Sequence, residues 1–147
     1  NWGAGKLSRV RAIEKCCFTA SAVISLLAAA ALTCFPEQVA TLFMAGSGQE
    51  VLSMAVGSLK MFDITFVIRW FSFAMQSYML AIEKPLPASL ISVSTALVFP
   101  VLLVALIWPL GLTGIWLNFA GTSLLAGVLS LGILFAVRKE LFRPDLQ

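Results

Sequence analysis

From residue 85 to residue 137 the chain carries 53 residues without a charged side chain, interrupted only by Trp108-Pro109-Leu110-Gly111-Leu112-Thr113-Gly114. The pieces on either side, residues 86–108 and 115–137, are each 23 residues long. A helix needs roughly 20 apolar residues to cross the hydrocarbon of a bilayer. Two further apolar stretches precede them, at residues 16–35 and about 51–82. A water-soluble domain of 147 residues has too little interior to hide so much apolar chain, because surface outgrows core at this size. The pattern predicts an all-α polytopic membrane protein with four transmembrane helices, near residues 16–35, 51–82, 86–108 and 115–137.

The joints between these stretches sharpen the picture. Pro36 closes the first span, since proline cannot continue a helix with its backbone bonds intact. Residues 37–43 are then expected to form a short interfacial helix, ended by Ala45-Gly46-Ser47-Gly48, a strong turn signal. From Glu50 to Ile82 the second helix would run 33 residues. That is about 50 Å, so its outer part projects from the membrane or the helix tilts. Pro100 predicts a kink inside the third span. Ser21, Ser25, Ala29 and Thr33 recur every four residues and form a stripe of small side chains of the kind that lets helices approach closely in lipid. Gly121, Gly127 and Gly132 lie within the fourth span. Trp108 and Trp116 flank the outer loop, where indole rings favour the headgroup region.

Composition agrees with the membrane class: 60% hydrophobic, 12% charged, mean hydropathy +0.97. The net charge of +3 is too small to argue for nucleic acid, and membrane lipids are the expected surroundings. The placement of the basic residues says more. Lys6, Arg9, Arg11 and Lys15 precede the first span, Lys84 sits in the middle loop, and Arg138, Lys139 and Arg143 follow the last span. The linkers 36–50 and 109–114 hold no Lys or Arg. Basic residues collect in cytoplasmic loops, so both chain ends and the Lys84 loop are expected on the cytoplasmic side of the plasma membrane. The uncharged run 16–35 is long for a signal-peptide core, and the chain is expected to begin midway through a longer protein.

Histidine is absent, which removes the commonest metal ligand and the usual proton shuttle. Cys16, Cys17 and Cys34 have neither the spacing nor the companions of a metal site, and Cys17 and Cys34 are about 25 Å apart on one helix. Gly3-Ala4-Gly5-Lys6 lacks the spacing, the Ser or Thr after lysine and the preceding strand of a phosphate loop. Without His no Ser–His or Cys–His pair is possible, and no acid pair suits hydrolysis, so an enzyme is not expected, nor a resident metal or organic cofactor.

Chemistry is expected instead around Arg69. It lies about 18 Å from the cytoplasmic boundary of the second span, where a guanidinium is costly and is presumed functional. Thr65, Arg69, Ser72 and Gln76 are spaced four, three and four apart and share one helix face. That face either lines a transport pathway or holds a structural arginine neutralised by a carboxylate outside this chain. Arginine does not give up its proton, so Arg69 can serve only as a fixed charge. Asp63 is the only acid within a span and a candidate for ion coupling, although Lys60, one turn earlier, suggests an interfacial ion pair instead. Asn118, Thr122, Ala126 and Ser130 form a weakly polar stripe in the fourth span; Asn118 and Thr122 are further pathway candidates. Ser92, Ser94 and Thr95 are less informative, because hydroxyls can bond their own backbone.

Several of these features fall in an order that resembles multidrug and toxic compound extrusion transporters. Asn1-Trp2-Gly3-Ala4-Gly5-Lys6 followed by Arg9-Val10 is similar to the segment closing that family's eighth helix and entering the ninth. Phe35-Pro36-Glu37 with Leu42-Phe43 resembles the loop after helix nine. Leu59-Lys60 resembles the opening of helix ten, Lys84-Pro85 the joint after it, Pro100 a proline of helix eleven, and Gly111-Leu112-Thr113-Gly114-Ile115-Trp116 the entry to helix twelve. The resemblance spans the whole chain. It implies a secondary antiporter of twelve helices in two six-helix bundles, exporting organic, often cationic, compounds in exchange for protons or sodium, with this chain as its last four helices. The remaining helices of the transporter are then its partners.

Two departures stand out. Some branches of the family carry an acid in helix ten, at a place that falls around Arg69-Trp70 here, so the coupling role is not transferred to Arg69 or Asp63. The usual glycine before Lys84 is Glu83. Two other classes stay open: a flippase for a lipid-linked precursor, whose anionic head group would suit a cationic cavity, and a free-standing four-helix scaffold module.

Overall fold

The computed structural model describes residues 1–44, 46 and 48–141. They form helices joined by short turns, with no strand among them: α1 (Leu7–Cys34), α2 (Pro36–Phe43), α3 (Gln49–Ala81), α4 (Pro85–Val93), α5 (Phe99–Ile107) and α6 (Gly111–Leu141). A π-turn, Ser94–Val98, joins α4 to α5, and a 3₁₀ turn, Trp108–Leu110, joins α5 to α6. Four stretches are long and apolar enough to cross a membrane: Leu7–Cys34, Gln49–Ala81, Pro85–Leu110 and Thr113–Arg138. They overlap the four predicted spans, the first two stopping one residue short at Cys34 and Ala81, while α1 begins earlier and α6 ends later than the spans read from the sequence. The expected turn at residues 45–48 lies partly outside the described residues, as does Arg143.

Large apolar side chains cover the outside and polar ones share the interior, unlike the pattern of a water-soluble protein. The buried polar residues are Thr65, Ser72, Ser94, Asn118, Thr122, Ser123 and Ser130, whereas Ile24, Leu27, Phe43 and Leu86 are between 66% and 86% exposed. Lipid tails are as apolar as leucine, so helices associate through small and polar side chains rather than through hydrophobic burial. An apolar outer surface of this kind suits a bilayer.

α3 is the axis of the structure and packs against α1, α2, α4 and α6. Its contact with α1 uses the small-residue stripe. Ala29 is buried, Ser25 Oγ donates to the Phe66 carbonyl at 2.6 Å, and Thr33 Oγ1 bonds both the Ala29 carbonyl and the Asp63 carboxylate. α2 forms as expected, with Pro36 at its first position, where a missing N–H is no loss.

Met75, Met79, Ile82, Ala88, Ile91 and Val137 form the apolar core, with Trp2, Val10 and Phe18 packed against it. This core sits at the end of the bundle that holds the start of α1, the α3–α4 joint and the end of α6, here called the basic end. The joint turns at Glu83, which adopts φ 59°. A residue with a Cβ is strained in that left-handed region, which explains why glycine suits the position.

Before Pro100 the regular winding of the third span is interrupted. The Phe99 N–H bonds back to the Ser94 carbonyl, five residues earlier, giving a wide turn immediately before the proline. Such turns are single-turn inserts in α-helices and are frequent at functional sites. At the outer end, Gly111 (φ 57°) and Gly114 make the entry to α6 possible. A Cβ on Gly114 would lie 2.6 Å from the Ile107 carbonyl oxygen, closer than van der Waals contact permits.

Candidate functional site: a polar cleft between α3 and α4

The face of α3 that carries Thr65, Arg69, Ser72 and Gln76 does not point to lipid. Thr65 and Ser72 are buried, and Arg69 and Gln76 are partly buried. Arg69, Ser72 and Gln76 line a cleft of about 90 Å³ with Ser92 and Thr95, and Phe73, Ile91 and Ala96 complete its wall. Of the α3 residues that spacing places on one face, Arg69, Ser72 and Gln76 line the cleft, whereas Thr65 is buried outside it. Sequence spacing gave Ser92 and Thr95 little weight, and α4 and the π-turn bring them into the same cleft.

Arg69 makes no ion pair among the described residues; its guanidinium carbon lies 5.3 Å from the centroid of the Phe73 ring. A cation over an aromatic face gains about 0.5–2 kcal/mol, against about 2.5–3.5 kcal/mol for placing arginine at mid-membrane. The ring alone leaves the charge short of compensation.

The hydroxyls around it are equally unusual. Thr33, Thr41, Ser58 and Ser123 each donate to the carbonyl one turn back along their own helix, the ordinary way to satisfy a hydroxyl in a helix. Ser72 Oγ and Thr95 Oγ1 are buried and have no hydrogen-bond partner; the same is true of Thr65 Oγ1 and Ser130 Oγ. Leaving a buried polar group unpaired costs about 1–3 kcal/mol, and two such groups flank one arginine.

The other sequence candidates lie elsewhere. Asn118 and Thr122 are buried in the packing of α6 and do not line the cleft. Asn118 Nδ2 donates to the Pro100 carbonyl at 3.1 Å, and Asn118 Oδ1 accepts from Thr122 Oγ1 at 3.0 Å. Their polar groups are used to fasten α6 to α5. Asp63 is not held by Lys60: Lys60 is exposed, and the Asp63 carboxylate accepts the Thr33 hydroxyl of α1. Its second oxygen, Oδ1, is buried without a partner. A helix surface puts Lys60 within reach, but packing α1 against α3 offered the carboxylate a donor that spacing along one helix could not reveal.

Sequence reasoning also missed Glu14. Arg138 donates to Glu14 Oε1 at 2.9 Å, with the Glu14 side chain only 9% exposed and that of Arg138 51% exposed. Glu14 also meets the Tyr78 hydroxyl. α1 and α6 share no backbone contact, so this bridge ties their basic ends together across 124 residues of sequence. A second, larger space of about 730 Å³ lies along α1 and α3, walled mainly by apolar residues such as Phe18, Ile24, Phe66 and Trp70.

A model of the MatE family matches residues 1–106, which takes in the whole α3–α4 cleft. No curated protein and no solved structure matches the chain.

Proposed function

This chain belongs to the MatE family of membrane transporters, and from that premise we propose that it is the carboxyl-terminal part of a secondary antiporter. It would export amphipathic organic compounds in exchange for protons or sodium, from the plasma membrane, with both chain ends cytoplasmic and further helices supplied by upstream sequence. Within it, the α3–α4 cleft lines the substrate path. The observation that carries this reading is the coincidence of Arg69 with two unpartnered hydroxyls, Ser72 and Thr95, inside a lipid-facing bundle. A polar group left unsatisfied in hydrocarbon is expensive, and solvation by a passing substrate or water repays it.

The complete gene, expressed in a host stripped of its own exporters, is expected to raise tolerance to amphipathic drugs. At matched membrane abundance, Arg69→Ala should change tolerance or substrate profile about tenfold. Loss of protein in step with loss of activity would instead mark Arg69 as a structural residue. The fixed charge at Arg69 also favours a second reading, a flippase for a lipid-linked precursor. Diphosphate-lipid binding to the purified protein, with no drug export, would select it.

A further inference from the structure

Resting on the reading of the α3–α4 cleft as part of the substrate path, we propose that this cleft is a subsite for the carboxylate of a substrate. Every polar side chain on its wall can donate: the Arg69 guanidinium only donates, and the hydroxyls of Ser72, Ser92 and Thr95 and the Gln76 amide can turn a donor inward. Among the described residues no Asp or Glu lines it. A guanidinium presents its N–H groups as a planar fork that matches a carboxylate, and hydroxyls can rotate to complete the set. Ser72 is 3% exposed, and both its hydroxyl and that of Thr95 have abandoned the usual backbone acceptor. The π-turn carries Thr95 at a position where the regular helix geometry is already broken.

Size limits the ligand group. A volume of about 90 Å³ is well below the roughly 300 Å³ that a drug-sized ligand needs. The cleft therefore takes one small anionic group while the remainder of the molecule lies outside it. A cationic compound is repelled there, so a molecule bearing only positive charge must pass by other walls.

The test uses the protein of the complete gene, purified in detergent, and three probes of one shape: 2-naphthoate, its methyl ester and 2-naphthylmethylammonium. Equilibrium dialysis is expected to show naphthoate bound at least tenfold tighter than the ester and the ammonium compound weakest. Arg69→Gln should bring naphthoate and ester to parity, and Arg69→Lys should retain part of the preference. Ser72→Ala and Thr95→Val should each weaken naphthoate about three- to fivefold while leaving the ester unchanged; unchanged ester binding also certifies that these variants are folded. Equal binding of acid and ester by the unaltered protein, or a preference that survives Arg69→Gln, overturns the subsite. Displacement of naphthoate by chloride at equal concentration, with chloride binding lost in Arg69→Gln, also overturns it in favour of an inorganic anion. Transport separates this from the broader reading: export of neutral and cationic compounds without acid preference sinks the subsite alone. Proteoliposomes that move no organic compound sink the exporter, even where naphthoate binds.

Discussion

Two stretches of α3, one turn apart, are packed by opposite rules. Met75, Met79 and Ile82 face a filled cluster with Ala88, Ile91 and Val137, and the same end is tied by the Arg138–Glu14 bridge. Thr65, Arg69 and Ser72 face a cleft and an interface where, among the described residues, hydroxyls lack partners and a charge lacks a counter-ion. The helix itself is continuous through both, so the difference lies in what α4, the π-turn and α6 present to it. A packed end gives the bundle a fixed shape; an underpaired middle leaves interaction energy available to something that is not part of the chain. Stability and binding are thereby separated along one helix.

That separation can be broken at its strong end first. Met79→Ala empties a fully buried position and should lower stability by about 2–3 kcal/mol, read as a drop in detergent melting temperature and in membrane yield. Cutting the bridge with Glu14→Gln should cost about 1 kcal/mol, because its partner Arg138 is half exposed and such pairs are worth little when solvated; thermal melting of the purified protein checks it. Glu83→Gly should move the other way, raising stability by about 1 kcal/mol by removing the Cβ from a left-handed turn. At the cleft, Ser72→Ala should leave the melting point unchanged or slightly raised, since it deletes an unpaired buried hydroxyl, while weakening transport. A large loss of stability in Ser72→Ala would erase the contrast.

Much of this was legible in the amino-acid sequence because lipid imposes simple demands on it. Long uncharged runs had to be spans, Pro36 had to end one helix and start another, and the four-residue spacing of Ser21, Ser25, Ala29 and Thr33 had to form a contact stripe. The polar face of α3 followed from the same periodicity. What escaped was everything that depends on a partner far along the chain. Asp63 chose Thr33, thirty residues earlier, over Lys60 nearby. Glu14 and Arg138 meet across the bundle. Thr95 resembles any hydroxyl in an apolar helix until the proline five residues on widens its turn. Asn118, placed on a polar stripe, is spent on the Pro100 carbonyl. Helical spacing tells which residues share a face, and packing alone decides what that face meets.

The π-turn has one more consequence, for how this segment tolerates insertion and deletion. A wide turn holds one residue more than the ordinary spiral, and each residue of an α-helix advances the azimuth by about 100°. Removing a single residue from 94–98 would therefore restore even winding while α5 keeps its facing, with the Pro100 oxygen still at Asn118 and Leu103 still beside Gly121. A deletion within the regular helix of α5 has no such slack and would swing all that follows by over a quarter of a revolution. The extra residue is a one-residue reserve between two half-helices.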